Sequence, residues 1–391
     1  MKLIKQSQRI FLAAAAAVSL VLAGCAGSGS GAGTTAGTET KAAETAAADT
    51  KAAETATAET GKEAGAEASS ADNAGAKASD YPKESITMII PYGAGGTTDL
   101  VGRQLAIALE KQLGQTIIVE NKAGAAGSVG TEAALEAKPD GYTLLLTADS
   151  LGTQRVMGIS EMSYGDFSPI LPIANDPKVM VVAKDSPYET IQDLLDAMKE
   201  NPGKIKMSYT GPGGSGHIQA LLLNRYGYEP ALTAYNSGAE GVTAVMGHQV
   251  DFTNSNYSTV ASYIESGDLK LLAVCSVEPL SAHPDVVTLA SVMPGSEEMM
   301  AMPYTPLSLI VRKDVPEDIK ETLRAAAHAA VKDPEFEKYM DDNCIEKLYE
   351  KYPTVEEAEK FFAVWESNIS WMLYDAGAAV KSPEEFGSPK P

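Results

Sequence analysis

The chain has 391 residues and a formal net charge of −21, from 31 Lys and Arg against 52 Asp and Glu. That balance excludes a nucleic-acid binder, because phosphate contacts need clustered cations. It also sets the protein against anionic lipid surfaces unless a covalent anchor holds it there.

At the N-terminus Lys2, Lys5 and Arg9 precede an apolar run at 10–22, followed by Ala23, Gly24 and Cys25. Residues 1–24 are therefore expected to be a secretory signal rather than a membrane span. LAGC at 22–25 resembles a bacterial lipobox, which implies lipid on the Cys25 sulfur and cleavage before it. Two acyl chains supply the anchoring that one cannot. Residues 26–80 hold no aromatic and no large aliphatic residue, and TKAAETA at 40–46 recurs at 50–56. Such a segment cannot bury enough apolar surface to offset its ordering entropy, so an acidic tether over 25–80 is expected.

From 81 onward strand-like and helix-like patterns alternate. ITMIIPY (86–92) leads into a helical pattern at 98–113, then TIIVEN (116–121), a helix at about 128–138 and YTLLLT (142–147). This βαβαβ order predicts a parallel sheet with ligands at the carboxyl ends of its strands. A second series starts at KVMVVA (178–183) and passes through a helix at 190–201, KIKMSYT (204–210), the loop GPGGSG and a helix at 217–227. ALTAY (231–235), a helix at 238–247, VDFTNS (250–255), a helix near 257–266 and LKLLAVCSV (269–277) complete it. The tail is helical, with Pro316 opening one segment and another running over 355–373. The economical reading is two α/β lobes, with the chain passing between them near 172–183 and 296–308.

Chemistry concentrates in glycine-rich turns. PYGAGGTTD (91–99) lacks the Lys of a phosphate loop, and Thr98 stands where a dinucleotide loop has its third glycine. What remains is Gly93, Ala94, Gly95 and Gly96 before a helix capped by Thr97 or Thr98. The unpaired N–H groups of that helix start can take an anion without a basic side chain; alternatively the turn simply needs glycine. AGAAGSVG (123–130) and TGPGGSGH (210–217), with Gly214 and Ser215, repeat the arrangement. If the lobes face each other, the loops converge, and neutral nests without local Lys or Arg point to a small carboxylate.

YPKESITMIIPYGAGGTTDLVGRQLA and VENKAGAAGSVGTEAALEAKPDGYTLLL resemble the tripartite tricarboxylate transporter receptors, the TctC or Bordetella-uptake-gene family. The similarity extends through PGKIKMSYTGPGGSGHIQA and ALTAYNSGAEGVTAVMGHQVDFTNSN to about residue 310. It implies a two-lobed periplasmic-binding-protein-like fold of the Venus-flytrap type (type II-like), each lobe a mainly parallel sheet flanked by helices. Lobe one would comprise 81–180 and 305–391, and lobe two 181–304. The implied function is capture of a di- or tricarboxylate or an amino acid, delivered to the large and small membrane subunits of a permease. The implied protein is a monomer outside the cytoplasm, touching membrane only through its lipid, without cofactor, metal or catalysis. On that match Tyr92, Gly93, Ala94, Gly95, Gly96, Thr97, Ala126, Gly127 and Ser128 hold a ligand carboxylate. Thr147 and Ser150 line the same edge. Gly214, Ser215, Tyr235, Asn236, Ser255 and Asn256 answer from the second lobe.

Asn236, Ser237, Glu240 and Ser255 depart from the family pattern and put a tricarboxylate ligand in doubt. Glu240 either faces a ligand ammonium or occupies an exposed helix start, where an acid suits the dipole; the second reading is preferred. His217 either touches ligand or packs at its helix start. An alternative role is a ligand sensor or scavenging lipoprotein, and a further one a hydrolase using Ser215 and His217, although the G-x-S-x-G elbow fails at His217. Cys275 and Cys344 are read as separate thiols rather than a disulfide pinning the lobes.

Overall fold

The computed structural model describes residues 81–391. The expected signal peptide, Cys25 anchor and linker lie outside the described residues. The apolar run at 86–90 forms strand β1 (Ile86–Ile90), and the glycine turn leads into helix α1 (Thr97–Leu113), which ends on Gly114 at φ 66°. That left-handed position suits a residue without a Cβ. Strands β2 (Ile117–Asn121) and β3 (Thr143–Thr147), with helix α2 (Ser128–Glu136) between them, complete the predicted unit; both strands run parallel to β1, one on each side. The chain continues into β4 (Phe167–Asn175) of the same sheet, and after Asp176 and Pro177 into β5 (Lys178–Ala183) of a second sheet.

The second sheet collects α3 (Ile191–Glu200), β6 (Lys206–Tyr209), α4 (Ser215–Arg225), β7 (Ala231–Ala234) and α5 (Gly238–Met246). It continues through β8 (Phe252–Asn256), α6 (Tyr257–Glu265) and β9 (Leu269–Val274), and its strand order is β7-β6-β8-β5-β9. Helices α7 (Leu289–Val292) and α8 (Glu297–Met300) close its core. Strand β10 (Pro306–Arg312) then returns the chain to the first sheet, which with the later β11 (Glu346–Lys347) is ordered β11-β4-β10-β3-β1-β2. Helices α9 (Glu317–Ala330) and α10 (Pro334–Asp342), β11 (Glu346–Lys347), α11 (Leu348–Lys351) and the long α12 (Val355–Asp375) finish the fold.

Both sheets are mixed rather than mainly parallel. The parallel pairs are those joined by helical crossovers; β5, β10 and β11 run antiparallel to their neighbours. Strands that carry the chain between sheets have no βαβ crossover to impose a parallel direction. The crossings expected near 172–183 and 296–308 overlap only one end of β4 and of β10. Pro169 and Pro172 interrupt the rest of β4, while Pro306 merely opens β10, whose run 307–311 is not among the expected strands. The register of β10 against β4 shifts at Leu307/Ser308 and at Leu309/Ile310, beside the partners of Pro172 and Pro169. Those irregularities absorb the missing N–H groups.

Side-chain alternation splits each sheet between two cores. Ile86, Met88 and Ile90 face Leu105 and Leu109 of α1 and Leu323 of α9, while Ile89 and Leu145 face Phe362, Trp365 and Ile369 of α12. In the second sheet Met180 and Val182 pack with α3 and α4, and Val179 and Val181 with α5 and α6. Each such fully buried side chain contributes about 1.5–3 kcal/mol. With both faces covered, the ends of the inner strands are left to carry the site.

Candidate functional site

Loops from the two sheets enclose a cavity of ≈ 50 Å³, room for about three to five waters. Tyr92, Gly93, Gly96 and Thr97 line it from the first sheet, and Ser215, Ser255 and Asn256 from the second. These are seven of the residues singled out from sequence. Ala94, Gly95, Ala126, Gly127, Ser128, Thr147, Ser150, Gly214, Tyr235 and Asn236 stand around it without lining it in this conformation.

Several donors in the glycine turns already have partners. The Gly93 N–H donates across the cleft to the Asn236 carbonyl at 3.0 Å. The Gly95 N–H, at φ 80°, donates to Asp99 Oδ2 at 2.9 Å. The other Asp99 oxygen accepts from Asn121 Nδ2 at 3.0 Å and pairs with Arg103 at 2.8 Å. Burial pushes the Asp99 carboxyl up, but the hydrogen bonds from Arg103, Gly95 and Asn121 outweigh it and hold the group below its ordinary range. Thr97 and Thr98, whose first-turn N–H groups have no intrahelical acceptor, line the cavity.

At the start of α4 the Ser215 N–H donates to the carboxylate of Asp149, which belongs to the first sheet's side of the cleft. Gly213 N–H donates to His217 Nδ1 at 3.1 Å, and Thr153 Oγ1 donates to the Gly213 carbonyl at 3.1 Å. His217 thus braces its helix start, as the packing reading expects, and burial lowers its pKa. His217 Nδ1 is engaged by that backbone donor, and the Ser215 side chain hydrogen-bonds the Asp149 carboxylate. The turn at 124–127 is self-contained: Gly127 N–H donates to Gly124 O at 3.0 Å, and its carbonyl accepts from Thr131 Oγ1 at 2.9 Å. Tyr92 Oη and Ser150 Oγ are 3.0 Å apart, linking two predicted site residues behind the cavity wall. Glu240 is exposed and accepts the Asn236 N–H at 3.0 Å within the α5 cap, and it does not line the cavity.

The passage between the sheets is also polar. Asp176 is buried and accepts hydroxyl hydrogen bonds from Thr97 and Ser258, tying α1 to α6. Asn256 Nδ2 donates to the Asp176 carbonyl at 2.9 Å and to Thr305 Oγ1 at 3.1 Å, so both crossings meet at one side chain. Burial raises the Asp176 carboxyl to about 6, against the lowering by Ser258 and Thr97.

Sequence reasoning missed two charged residues here. Lys178, the first residue of β5, is 5 % exposed and lines the cavity, so the expectation of a site without a local cation is corrected. Burial lowers its pKa, opposed by Asp149, Asp176 and Cys275. Asp149, also lining the cavity, has its pKa raised by burial, opposed by Lys178 and by the Ser215 hydrogen bonds. The one signal available was a lysine opening an otherwise apolar, buried strand, a position where lysine is rare. Asn254, Ser208 and Thr253 also line the cavity and were not anticipated. Cys275 and Cys344 are free thiols, as read. No helix among the described residues is long and apolar enough to cross a membrane.

Two mixed α/β sheets joined by a pair of crossings, with polar loops meeting between them, define a two-lobed solute-binding protein. The periplasmic binding protein BugD has the same fold: TM-score 0.71 and 27 % identity, covering 76 % of this chain and 99 % of that one. Residues 101–363 match the model of the tripartite tricarboxylate transporter family receptor, and the chain belongs to that family. Among curated relatives, a UPF0065 protein of Bordetella pertussis is 29 % identical over 269 residues, 68 % of this chain and 82 % of that protein. BugT of the same organism is 31 % identical over 229 residues, 57 % of this chain and 70 % of BugT.

Proposed function

We propose that this protein is an extracytoplasmic receptor, tethered through lipid on Cys25, that captures a small carboxylate between its lobes and delivers it to a tripartite permease. The observation that carries this reading is the cavity itself: buried polar groups from both sheets converge on one space. A hollow of ≈ 620 Å³ beside Arg225 and Trp371 is larger, but its lining includes none of the buried polar atoms that lack partners.

In this reading Tyr92, Gly93, Gly96, Thr97, Ser215, Ser255 and Asn256 meet the ligand, and the remaining predicted residues shape the loops around it. Lobe one is 81–177 with 305–391 and lobe two 178–304; the first boundary moves from 180 because β5 pairs wholly within the second sheet. The lobes hinge at Asp176-Pro177 and near Thr305. Closure completes the hydrogen bonds, and the closed form's differential affinity for the membrane subunits drives delivery. The receptor acts as a monomer and leaves its ligand chemically unchanged.

A thermal-shift screen tests the reading with citrate, tartrate, succinate, glutamate, aspartate and nicotinate, and glucose as the uncharged control. A ligand that binds only the native state raises the midpoint by mass action. A carboxylate-specific shift is expected; a shift with glucose and none with any carboxylate overturns the ligand class.

A further inference from the structure

The cavity holds one cationic side chain whose hydrogen-bonding capacity is unused. Lys178 is buried and lines the cavity, and its ammonium makes no hydrogen bond and no ion pair among the described residues. Its nearest charge partners are committed elsewhere. The Asp149 carboxylate accepts from Ser215 N–H, and Asp176 accepts from the hydroxyls of Thr97 and Ser258. An ammonium has three donors and no acceptor, and here the charge is offset by Asp149 and Asp176 at a distance while the donors stay open toward the cavity.

Its surroundings are unsatisfied in the same way. Ser208 Oγ, Ser255 Oγ and Asn254 Oδ1 belong to residues that line the cavity, are buried, and have no hydrogen-bond partner. The register of the second sheet sets Lys178 with Asn256 and Asn254 on one face and Ser255 with Ser208 and Thr253 on the other, so the two groups meet only around the cavity at the strand ends. Lys178 stands opposite Asn256, Val179 opposite Ser255 and Met180 opposite Asn254, while Ser208 stands opposite Thr253. The backbone nests, by contrast, are partly filled from within the protein: Gly93 N–H by Asn236, Gly95 N–H by Asp99 and Ser215 N–H by Asp149. What Lys178 lacks in the cleft is therefore a direct hydrogen-bonding partner, its charge being balanced only at longer range by Asp149 and Asp176.

We propose that Lys178 is the charged anchor of the cleft, taking a carboxylate of the bound solute in a direct ion pair at the β5 end of the second sheet. This rests on the receptor reading and deepens it: the neutral turns orient the solute, and Lys178 makes a full negative charge on it a requirement. The hydroxyls of Ser208 and Ser255 and the first-turn N–H groups of α1 then meet its other polar atoms. The selected ligand is a short carboxylate bearing further hydrogen-bonding groups, either hydroxyls or a second carboxylate.

The test is calorimetric titration of the six carboxylates named above into wild-type, Lys178→Met and Lys178→Gln protein, with circular dichroism and melting curves on all three. A charge-assisted pair of this kind corresponds to roughly 10- to 150-fold in affinity. The expected result is at least about a 30-fold loss for the carboxylate the wild type binds best, in variants whose melting points equal or exceed the wild type's. Affinity within about threefold of wild type in either folded variant overturns the anchor while leaving the receptor reading intact. If the wild type binds none of the six, the receptor reading fails and the anchor fails with it.

Discussion

Asp149 and Ser215 face each other across the cleft, and the Asp149 carboxylate accepts the backbone N–H that opens α4. A helix N-terminus is an anion site, and here the protein's own carboxylate occupies it. The contact joins the two lobes without any solute. Asp149→Ala leaves a buried N–H unpaired, which costs about 1–3 kcal/mol. Urea unfolding should show that loss, and small-angle scattering should show a larger mean radius. An unchanged radius and midpoint would mean that the contact contributes nothing to closure.

Gly213 approaches the opposite lobe more closely still. A Cβ there would stand 2.5 Å from Thr153 Oγ1 and 2.9 Å from Met157 Cγ, on a backbone at φ 79°. Gly213→Ala should hold the cleft open and weaken ligand binding by about tenfold or more, because the clash exists only when the lobes meet. The melting point should fall modestly, by the strain of a left-handed alanine, about 1–2 kcal/mol. Wild-type affinity in this variant would show that binding does not need this closure.

Asp176 predicts a specific pH dependence. Its carboxyl moves from 3.8 to about 6 in the native protein. Between those values the native state binds more protons than the unfolded chain, so this group's contribution to stability falls as pH rises from about 4 to about 6. A change of that size corresponds to about 3 kcal/mol. Asp99 is displaced in the opposite direction, so the informative quantity is the difference between wild type and Asp176→Asn. The variant should gain on the wild type as pH rises from about 4.5 to about 7 in urea unfolding. A pH-independent difference would show that Asp176 stays charged throughout.

The thiols differ in reactivity. Burial pushes the Cys275 thiol up to about 12, and Asn254 Nδ2 lies 3.1 Å from its sulfur. Cys344 is only partly buried, 3.2 Å from Ser281 Oγ. Mass-mapped maleimide labelling of the native protein should modify Cys344 at least about tenfold faster than Cys275, since the thiolate is the nucleophile. Equal rates would indicate that the β9 end of the second core opens readily.

The parts of the site legible in the sequence are those with a local signature. Gly93, Gly96 and Thr97 mark a strand ending and a helix beginning, and such junctions gather at one sheet edge. Ser215 follows from the same logic in the second lobe, whereas Ser255 and Asn256 are implied only by the family resemblance. Lys178 and Asp149 were not legible: a single lysine or aspartate has no periodicity, and its significance comes from burial created by distant segments. In β4 the interior prolines Pro169 and Pro172 weaken the local strand signal, and register shifts against β10 accommodate them. The neutral nests were visible, but their filling by Asn236 and Asp149 depends on the lobes meeting.

Hydrogen exchange with and without the best carboxylate from the screen addresses binding in the cleft most directly. If the solute sits between the lobes, exchange slows over residues 93–99, 208–217 and 253–258, with the C-terminal half of α12 unaffected. Slowing confined to α12 and the neighbouring end of α4, or none beside a clear thermal shift, would contradict a ligand in the cleft.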